Sequence, residues 1–485
     1  MSNAGPGEVE LLEIGKLEHA LIEAHRALPG VLATPQYTRL RYALSMARMH
    51  RFSPGAAGGS AVRFDVEVDQ EILAGLRARL LSRLGPILLG DLEPGSLLVR
   101  ARRWHDRLAP EINETRDTLL RRHADEFSAD EFDDEVGHRT LVVVAGGGGG
   151  AGYIYLGAFD LLEQVGLTPG LIVGSSMGSI IGLFRARRLR PDLEANVRFA
   201  TGVDPEKLFR FVSLNRRYGL PGIMRLFLQN AIGEQFSLEG GRGLLLSDLE
   251  IPFISVVAGV RPDALRTSPD EWGLRRRLGV TRRPSRIALS AQIGRQLVQM
   301  ADFLNPIAVK AIGMGADDLT CAANAVDAAG FSAAIPGILH YDVTREDPQM
   351  HRVLGDLMHR EEVVALVDGG VAANVPAHVA WKAVREGRIG TRNTHILALD
   401  CFQPRLAPSH AWLWPVMRLV QVQLERQRVY MDQLVRFDHT LSPVTLLPSR
   451  DAIEKVIAAG RRQVEEFVPL LQASLQSFRW PGAGD

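Results

Sequence analysis

The sequence predicts an α/β protein: a mainly parallel sheet covered by helices on both faces, with helical additions at each end. Three observations carry this. Between Thr140 and Leu399, short runs made wholly of apolar residues recur, and such runs suit strands buried on both faces rather than half-solvated ones. Stretches with helical spacing separate them, which is the rhythm of βαβ units. Glycine-rich turns directly follow the first two strands, and in a parallel sheet such turns gather at the carboxyl edge.

Taken in order, residues 1–137 read as a mostly helical region. Within it, Asp69 to Leu84 places Ile72, Leu73, Leu76, Leu80 and Leu84 on one helical stripe, with Arg77, Arg79 and Arg83 elsewhere. Gly55 to Gly59 reads as a loop, and the acidic stretch Asp125 to Glu135 as a solvated linker. Residues 138–405 form the α/β domain. Its first strand is Leu141–Val144, its first helix Gly152–Val165 and its second strand Leu171–Val173, with a helix starting near Gly178. Phe253–Val257, Val363–Val367 and His395–Leu399 supply further strands.

Over about 262–317 the rhythm breaks. Arg275 to Arg277, Arg282, Arg283 and Arg286 precede an amphipathic stretch, Ile287 to Phe303. This reads as a solvated helical insertion, with a lid or an anionic-lipid contact as the alternative. Residues 406–485 read as helical again. There Trp412 to Val435 forms one long helix that packs on the core, with an interfacial role as the alternative.

Composition narrows the classes. The 485 residues are 46% hydrophobic and 23% charged, ordinary for a soluble globular chain that can bury a large core. The two cysteines, Cys321 and Cys401, belong to no CxxC or Cys/His cluster. A disulfide framework or zinc site is therefore not expected, and a reducing cytoplasm is. Zero net charge argues against nucleic acid as a partner. Met1 to Leu21 carries Glu8, Glu10 and Glu13 and does not read as a secretory signal. No apolar run approaches the roughly 18 residues of a spanning helix, so a lipid substrate would be met at the membrane surface. Nothing in the sequence fixes an oligomeric state.

Three motifs carry chemistry. The first is Gly174-Ser175-Ser176-Met177-Gly178, a GxSxG between an apolar strand and a helix. A serine on so sharp a turn needs glycines two residues away on either side, and its hydroxyl then stands exposed at a helix N-terminus. The second is the run Gly146 to Gly150 followed by Ala151-Gly152, whose closely spaced amides can converge on an oxyanion. Gly147, Gly149 and Gly152 also satisfy the dinucleotide fingerprint. That reading wants an acidic residue at the end of the next strand, and Gly174-Ser175-Ser176 stands there instead. The third is Val367-Asp368-Gly369-Gly370, a carboxylate closing a strand. Partial desolvation would raise its pKa into the range of a general base.

Together these pieces resemble the patatin-like phospholipase family. Gly147-Gly148-Gly149 is similar to the family's oxyanion loop, with Gly152 and Gly157-Ala158-Phe159 beyond it. Gly174 to Gly178 resembles its serine elbow and Asp368-Gly369-Gly370 its aspartate motif. Ser332 to Gly337 resembles the small-residue segment that precedes that motif. The resemblance runs from about Arg139 to about Pro404. It implies a three-layer α/β/α core and a Ser176–Asp368 dyad, with Gly147, Gly148 and Gly149 as oxyanion donors and Gly174 and Gly178 shaping the elbow. It further implies an acyl-enzyme, no cofactor, a phospholipid or lysophospholipid substrate, and transient membrane-surface contact by a cytoplasmic protein. Ala151 stands where the family usually carries Arg or Lys. Three alternatives remain open: a Ser-Asp-His hydrolase using His378 or His395, an acyltransferase on the same dyad, and a catalytically weak lipid-binding scaffold.

Overall fold

The computed structural model describes residues 6–55, 64–190, 192–202, 208–211, 217–262, 308–403 and 414–482. Most of the predicted insertion, with its arginine cluster and amphipathic stretch, lies outside these residues, as do most of the Gly55–Gly59 loop and Trp412.

The N-terminal region consists of helices α1 (Pro6–Ala27), α2 (Thr34–Ala47), α3 (Gln70–Leu88), α4 (Pro94–Arg122) and α5 (Ala129–Gly137), with a short hairpin of β1 (Arg51–Phe52) and β2 (Val66–Glu67). Leu73, Leu76, Leu80 and Leu84 of α3 are buried as the stripe predicts. Arg77 departs from it. Its side chain is buried, and its Nε donates to the Ala47 carbonyl at 2.6 Å, Nη2 to that of Met49 at 2.8 Å. A guanidinium there satisfies carbonyls that the end of α2 leaves without amide partners. The expected acidic linker is likewise corrected, because its second half is α5. Ser128 and Glu131 form a reciprocal capping box at its start, and Phe132 and Val136 enter the core.

The central sheet holds β3 (Thr140–Ala145), β4 (Leu171–Ser175), β7 (Phe253–Val260), β8 (Val309–Met314), β10 (Ala365–Asp368), β11 (Thr394–Asp400) and β12 (Gln433–Arg436). A smaller sheet holds β5 (Phe209–Phe211), β6 (Gly222–Leu226) and β9 (Gly337–His340). In the central sheet the pairs β12–β11, β11–β3, β3–β4 and β4–β7 are parallel, whereas β8 and β10 run antiparallel to β7. Alternation along each strand divides the core into two layers. Val143, Ile172, Phe253 and Leu397 pack on one side, and Val142, Val173, Ile254 and Ile396 on the other. With helices on both sides, the architecture is a three-layer α/β/α core.

One detail of the sheet positions the site. β8 covers one edge of β7, and the other edge is shared. β4 pairs with its first half and ends with Ser175 beside Val256. β10, running the opposite way, pairs with its second half and ends with Asp368 beside Val257. Two strands far apart in the chain therefore meet end to end, with their last residues at neighbouring registers.

The predicted C-terminal helix is shorter than Trp412–Val435. Helix Trp414–Gln427 gives way to a tight turn, and Val435 lies in β12, which extends the sheet beside β11. Helices Arg450–Glu465 and Val468–Leu475 follow.

Candidate active site

Ser176 occupies the turn between β4 and the helix Met177–Ala186, with φ 51° and ψ −124°. A non-glycine residue held there stores about 1–3 kcal/mol of strain. The flanking glycines are sterically required. A Cβ on Gly174 would lie 2.5 Å from the Gly178 carbonyl oxygen, and one on Gly178 would lie 2.2 Å from that of Ala145. Ser332 braces the turn by accepting from the Ser176 amide at 2.9 Å while donating to the Val256 carbonyl at 2.6 Å. The neighbouring Ser175 hydroxyl donates to the Asn374 carbonyl at 2.6 Å.

Asp368 faces this turn. Its carboxyl accepts a hydrogen bond from the Ser176 side chain and another, at 2.8 Å, from the Gly370 amide. Ser176 is 8% exposed and Asp368 5%. Burial pushes the carboxyl up to about 7, against the opposing pull of those two hydrogen bonds. A carboxylate so placed accepts protons near neutral pH, which a free aspartate does not.

The three loop glycines are not equivalent. The Gly147 amide already donates to the Asn374 carbonyl at 3.1 Å, and the Gly150 amide to that of Pro443 at 2.9 Å. This leaves the Gly148 and Gly149 amides without a backbone acceptor among the described residues. Ala151 is buried, and its amide turns back onto the Gly148 carbonyl.

The histidines of the alternative triad lie elsewhere. His395 pairs in register with Leu141, near the amino end of its strand, whereas the glycine loop and elbow follow the carboxyl ends. The His378 ring packs against Trp381 and Tyr430. Neither is among the groups that set the charge of Asp368.

An apolar cavity with an empty volume of about 880 Å³, mouth included, opens beside Ser176. Met177, Ile180, Phe184, Leu226 and Leu228 line it, and Leu446 and Leu447 close one side. Those two leucines belong to a strap, residues 437–449, that crosses the glycine loop. The Tyr153 hydroxyl donates to the Leu446 carbonyl at 2.9 Å, and a Cβ on Gly149 would lie 2.2 Å from that of Pro443. Sequence reasoning missed the strap, because it lies far downstream and carries no motif. Ser332 fell within a segment singled out for its small residues, although its bracing role was not legible there.

A strained serine elbow, a buried carboxylate hydrogen-bonded to it and a glycine-rich loop, on a three-layer α/β/α core, are parts that serine hydrolases use as a class. Within that class, a family model described as Patatin-like phospholipase matches residues 142–381. The chain thus carries a patatin-like phospholipase domain, the domain of a family of lipid acyl hydrolases. No curated protein matches the chain.

Proposed function

We propose that the chain is a serine acyl hydrolase that cleaves fatty-acyl ester bonds of phospholipids, lysophospholipids or related lipids through a Ser176–Asp368 dyad. The observation that carries this reading is the hydrogen bond between the Ser176 side chain and a buried carboxyl of pKa about 7, at the mouth of an apolar cavity.

In this mechanism the acyl chain enters the cavity and sets the ester carbonyl beside Ser176. The hydroxyl attacks as its proton passes to Asp368, and the amides of Gly148 and Gly149 hold the oxyanion. Collapse of the tetrahedral intermediate breaks the ester C–O bond, and Asp368 returns the proton to the departing alkoxide. Water, deprotonated by the same carboxylate, then attacks the acyl-serine; the acyl C–Oγ bond breaks, Asp368 hands its proton to the Ser176 oxygen and the fatty acid leaves. Only this chain's groups and water take part. Among the described residues no helix is long and apolar enough to cross a membrane, and the proposed enzyme meets its substrate by transient contact at a membrane surface, from the cytoplasm.

The test is turnover of a phospholipid and lysophospholipid panel by wild type, Ser176→Ala and Asp368→Asn, with fluorophosphonate labelling of each. Wild type is expected to label at Ser176 and to release fatty acid. Its kcat/KM should rise with pH and be half-maximal near 7, as Asp368 loses its proton. Both variants should lose about 10³-fold or more. A wild-type protein that neither labels nor hydrolyses, or an Asp368→Asn variant of full activity, refutes the reading.

A further inference from the structure

A second cavity, with an empty volume of about 1380 Å³, mouth included, lies between α1 and the amino ends of the sheet strands, where it reaches Thr394 and Ile396 at the start of β11. β11 continues for about 20 Å before its carboxyl end reaches the glycine loop, so this space is separate from the proposed active site.

Its lining is basic. Lys16, Arg48, Arg385, Arg392 and Arg428 face it, against the carboxylates of Glu23 and Asp432. Some of this charge is compensated. Arg48 lies 3.7 Å from Glu18, which also serves Arg41 and Arg139, and Arg392 lies 2.6 Å from Asp65. Asp432 is held by the Ile396 amide and by the field of His395, Arg139 and Arg48. Arg385 stacks over Trp381 at 4.7 Å and is attracted by Glu8. Lys16 and Arg428 have no ion-pair partner among the described residues.

Arg392 is committed further, its Nη1 donating to the Ser53 hydroxyl at 3.0 Å and to the Gly390 carbonyl, which leaves Lys16, Arg385 and Arg428 as the cations open to a ligand. His50 also lies on the wall. Burial, followed by Arg385, Arg392, Arg51 and Arg77, pushes its imidazole down to about 3. Leu12, Trp381 and Val429 also line the cavity and give it apolar surface that a bare ion would not use.

We propose that this cavity binds a phosphate monoester, its dianionic head against Arg385 and Arg428 and a short apolar arm against Trp381 and Val429. Guanidinium groups suit this head because they offer paired, planar donors. A lipid headgroup and a soluble phosphate share the chemistry, and the arm separates them.

The experiment is calorimetric titration of the full chain with hexyl phosphate, inorganic phosphate and 1-hexanol, alongside the fluorescence of Trp381. Hexyl phosphate is expected to bind saturably at one site and to perturb the tryptophan, inorganic phosphate at least about threefold more weakly, and hexanol not at all. Arg385→Gln with Arg428→Gln should weaken hexyl phosphate about tenfold or more, with an unchanged melting temperature. If that pair disturbs folding, Lys16→Gln, at an exposed position on α1, should still weaken binding by a smaller factor. Unchanged affinity in folded variants, hexanol binding as well as its phosphate, or no saturation by about 10 mM overturns the proposal.

Discussion

The two flanks of the family-matched domain are attached in different ways. The N-terminal region encloses its own core, in which Leu17, Leu44, Phe52, Leu76 and Leu98 pack with one another. Its contacts with the rest of the chain are apolar, through Leu12 against the sheet core and Phe478 and Trp480 against its own, and also polar. Glu18 pairs with Arg139, while the Asn393 side-chain amide donates to Ser45 and to the carbonyls of Glu135 and Val136. The C-terminal region has no such independence. Val435, Phe437, Ile453, Val456, Ile457 and Leu471 belong to the core that contains Val143 and Ile172. The match ends at residue 381, yet the sheet goes on through β11 and β12, and the strap that closes the acyl cavity comes later still. One flank is a docked unit, and the other completes the domain.

The largest expected effect separates them directly. A chain ending at residue 403 would lose those six buried side chains, at about 1.5–3 kcal/mol for most of them. That rivals the entire stability of an ordinary domain, about 5–15 kcal/mol. The α/β domain should then lose its cooperative thermal transition by circular dichroism, leaving at most the smaller one of the N-terminal region. A chain beginning at His138 should still melt cooperatively, at a lower temperature. Comparable damage from both truncations breaks the comparison.

A gentler version uses single glycines. Helices Ile154–Gln164 and Arg450–Glu465 approach so closely that a Cβ on Gly157 would lie 2.1 Å from the Ile457 carbonyl oxygen. Gly157→Ala should therefore cost about 1–3 kcal/mol through forced separation of the helices. In the N-terminal region, Gly75 lies within α3 with nothing inside 4 Å of the same added atom. Gly75→Ala should be stabilising, by up to about 1 kcal/mol. Paired urea melts check both signs.

The polar part of the junction should also answer to pH. Burial raises Glu135 to about 7, despite hydrogen bonds from the amides of Arg392 and Asn393 and the Thr391 hydroxyl. Because the folded pKa lies above the unfolded value, the folded state holds this proton more tightly. The resulting stability is complete below about pH 4.5 and is lost as pH rises through about 7. Glu135→Gln, which removes the ionisation, should raise stability at pH 8.5 by at most about 3 kcal/mol and bring little gain at pH 4.5. Urea melts of wild type and variant at the two pH values measure it, and an equal effect at both removes this account of the junction.

How much of this was legible beforehand follows the range of the interactions. Apolar runs fixed five strands of the central sheet, because burial on both faces leaves its mark residue by residue. Ser176 and Asp368 could be singled out because each sits in a local motif, and the fold brings the two side chains together. β8 and β12 were not read as strands: β12 is only four residues long, and its hydrophobic pattern continues that of the preceding helix. Arg77 read as a surface residue because its acceptors are carbonyls some thirty positions away. The engagement of the Gly147 amide was invisible for the same reason, since Asn374 reaches it only once the sheet is assembled.

The strap offers the smallest and most specific effect. Leu446 and Leu447 contribute side chains to the cavity wall, while the strap is held in place through main-chain carbonyls, by the Gly150 amide and the Tyr153 hydroxyl. Shortening either leucine should therefore leave the strap seated and enlarge only the space for the acyl chain. Leu446→Ala and Leu447→Ala should shift kcat/KM toward longer acyl chains by about three- to tenfold, and Leu446→Trp toward shorter ones, within the range that added or removed methylenes command in an apolar pocket. Tyr153→Phe loosens the anchor without altering the wall, so it should lower kcat/KM across all chain lengths with no change of preference. Substrate series of increasing acyl length read out all four variants. An unaltered preference in the leucine variants would place the acyl chain elsewhere and reduce the C-terminal flank to a purely structural part of the domain.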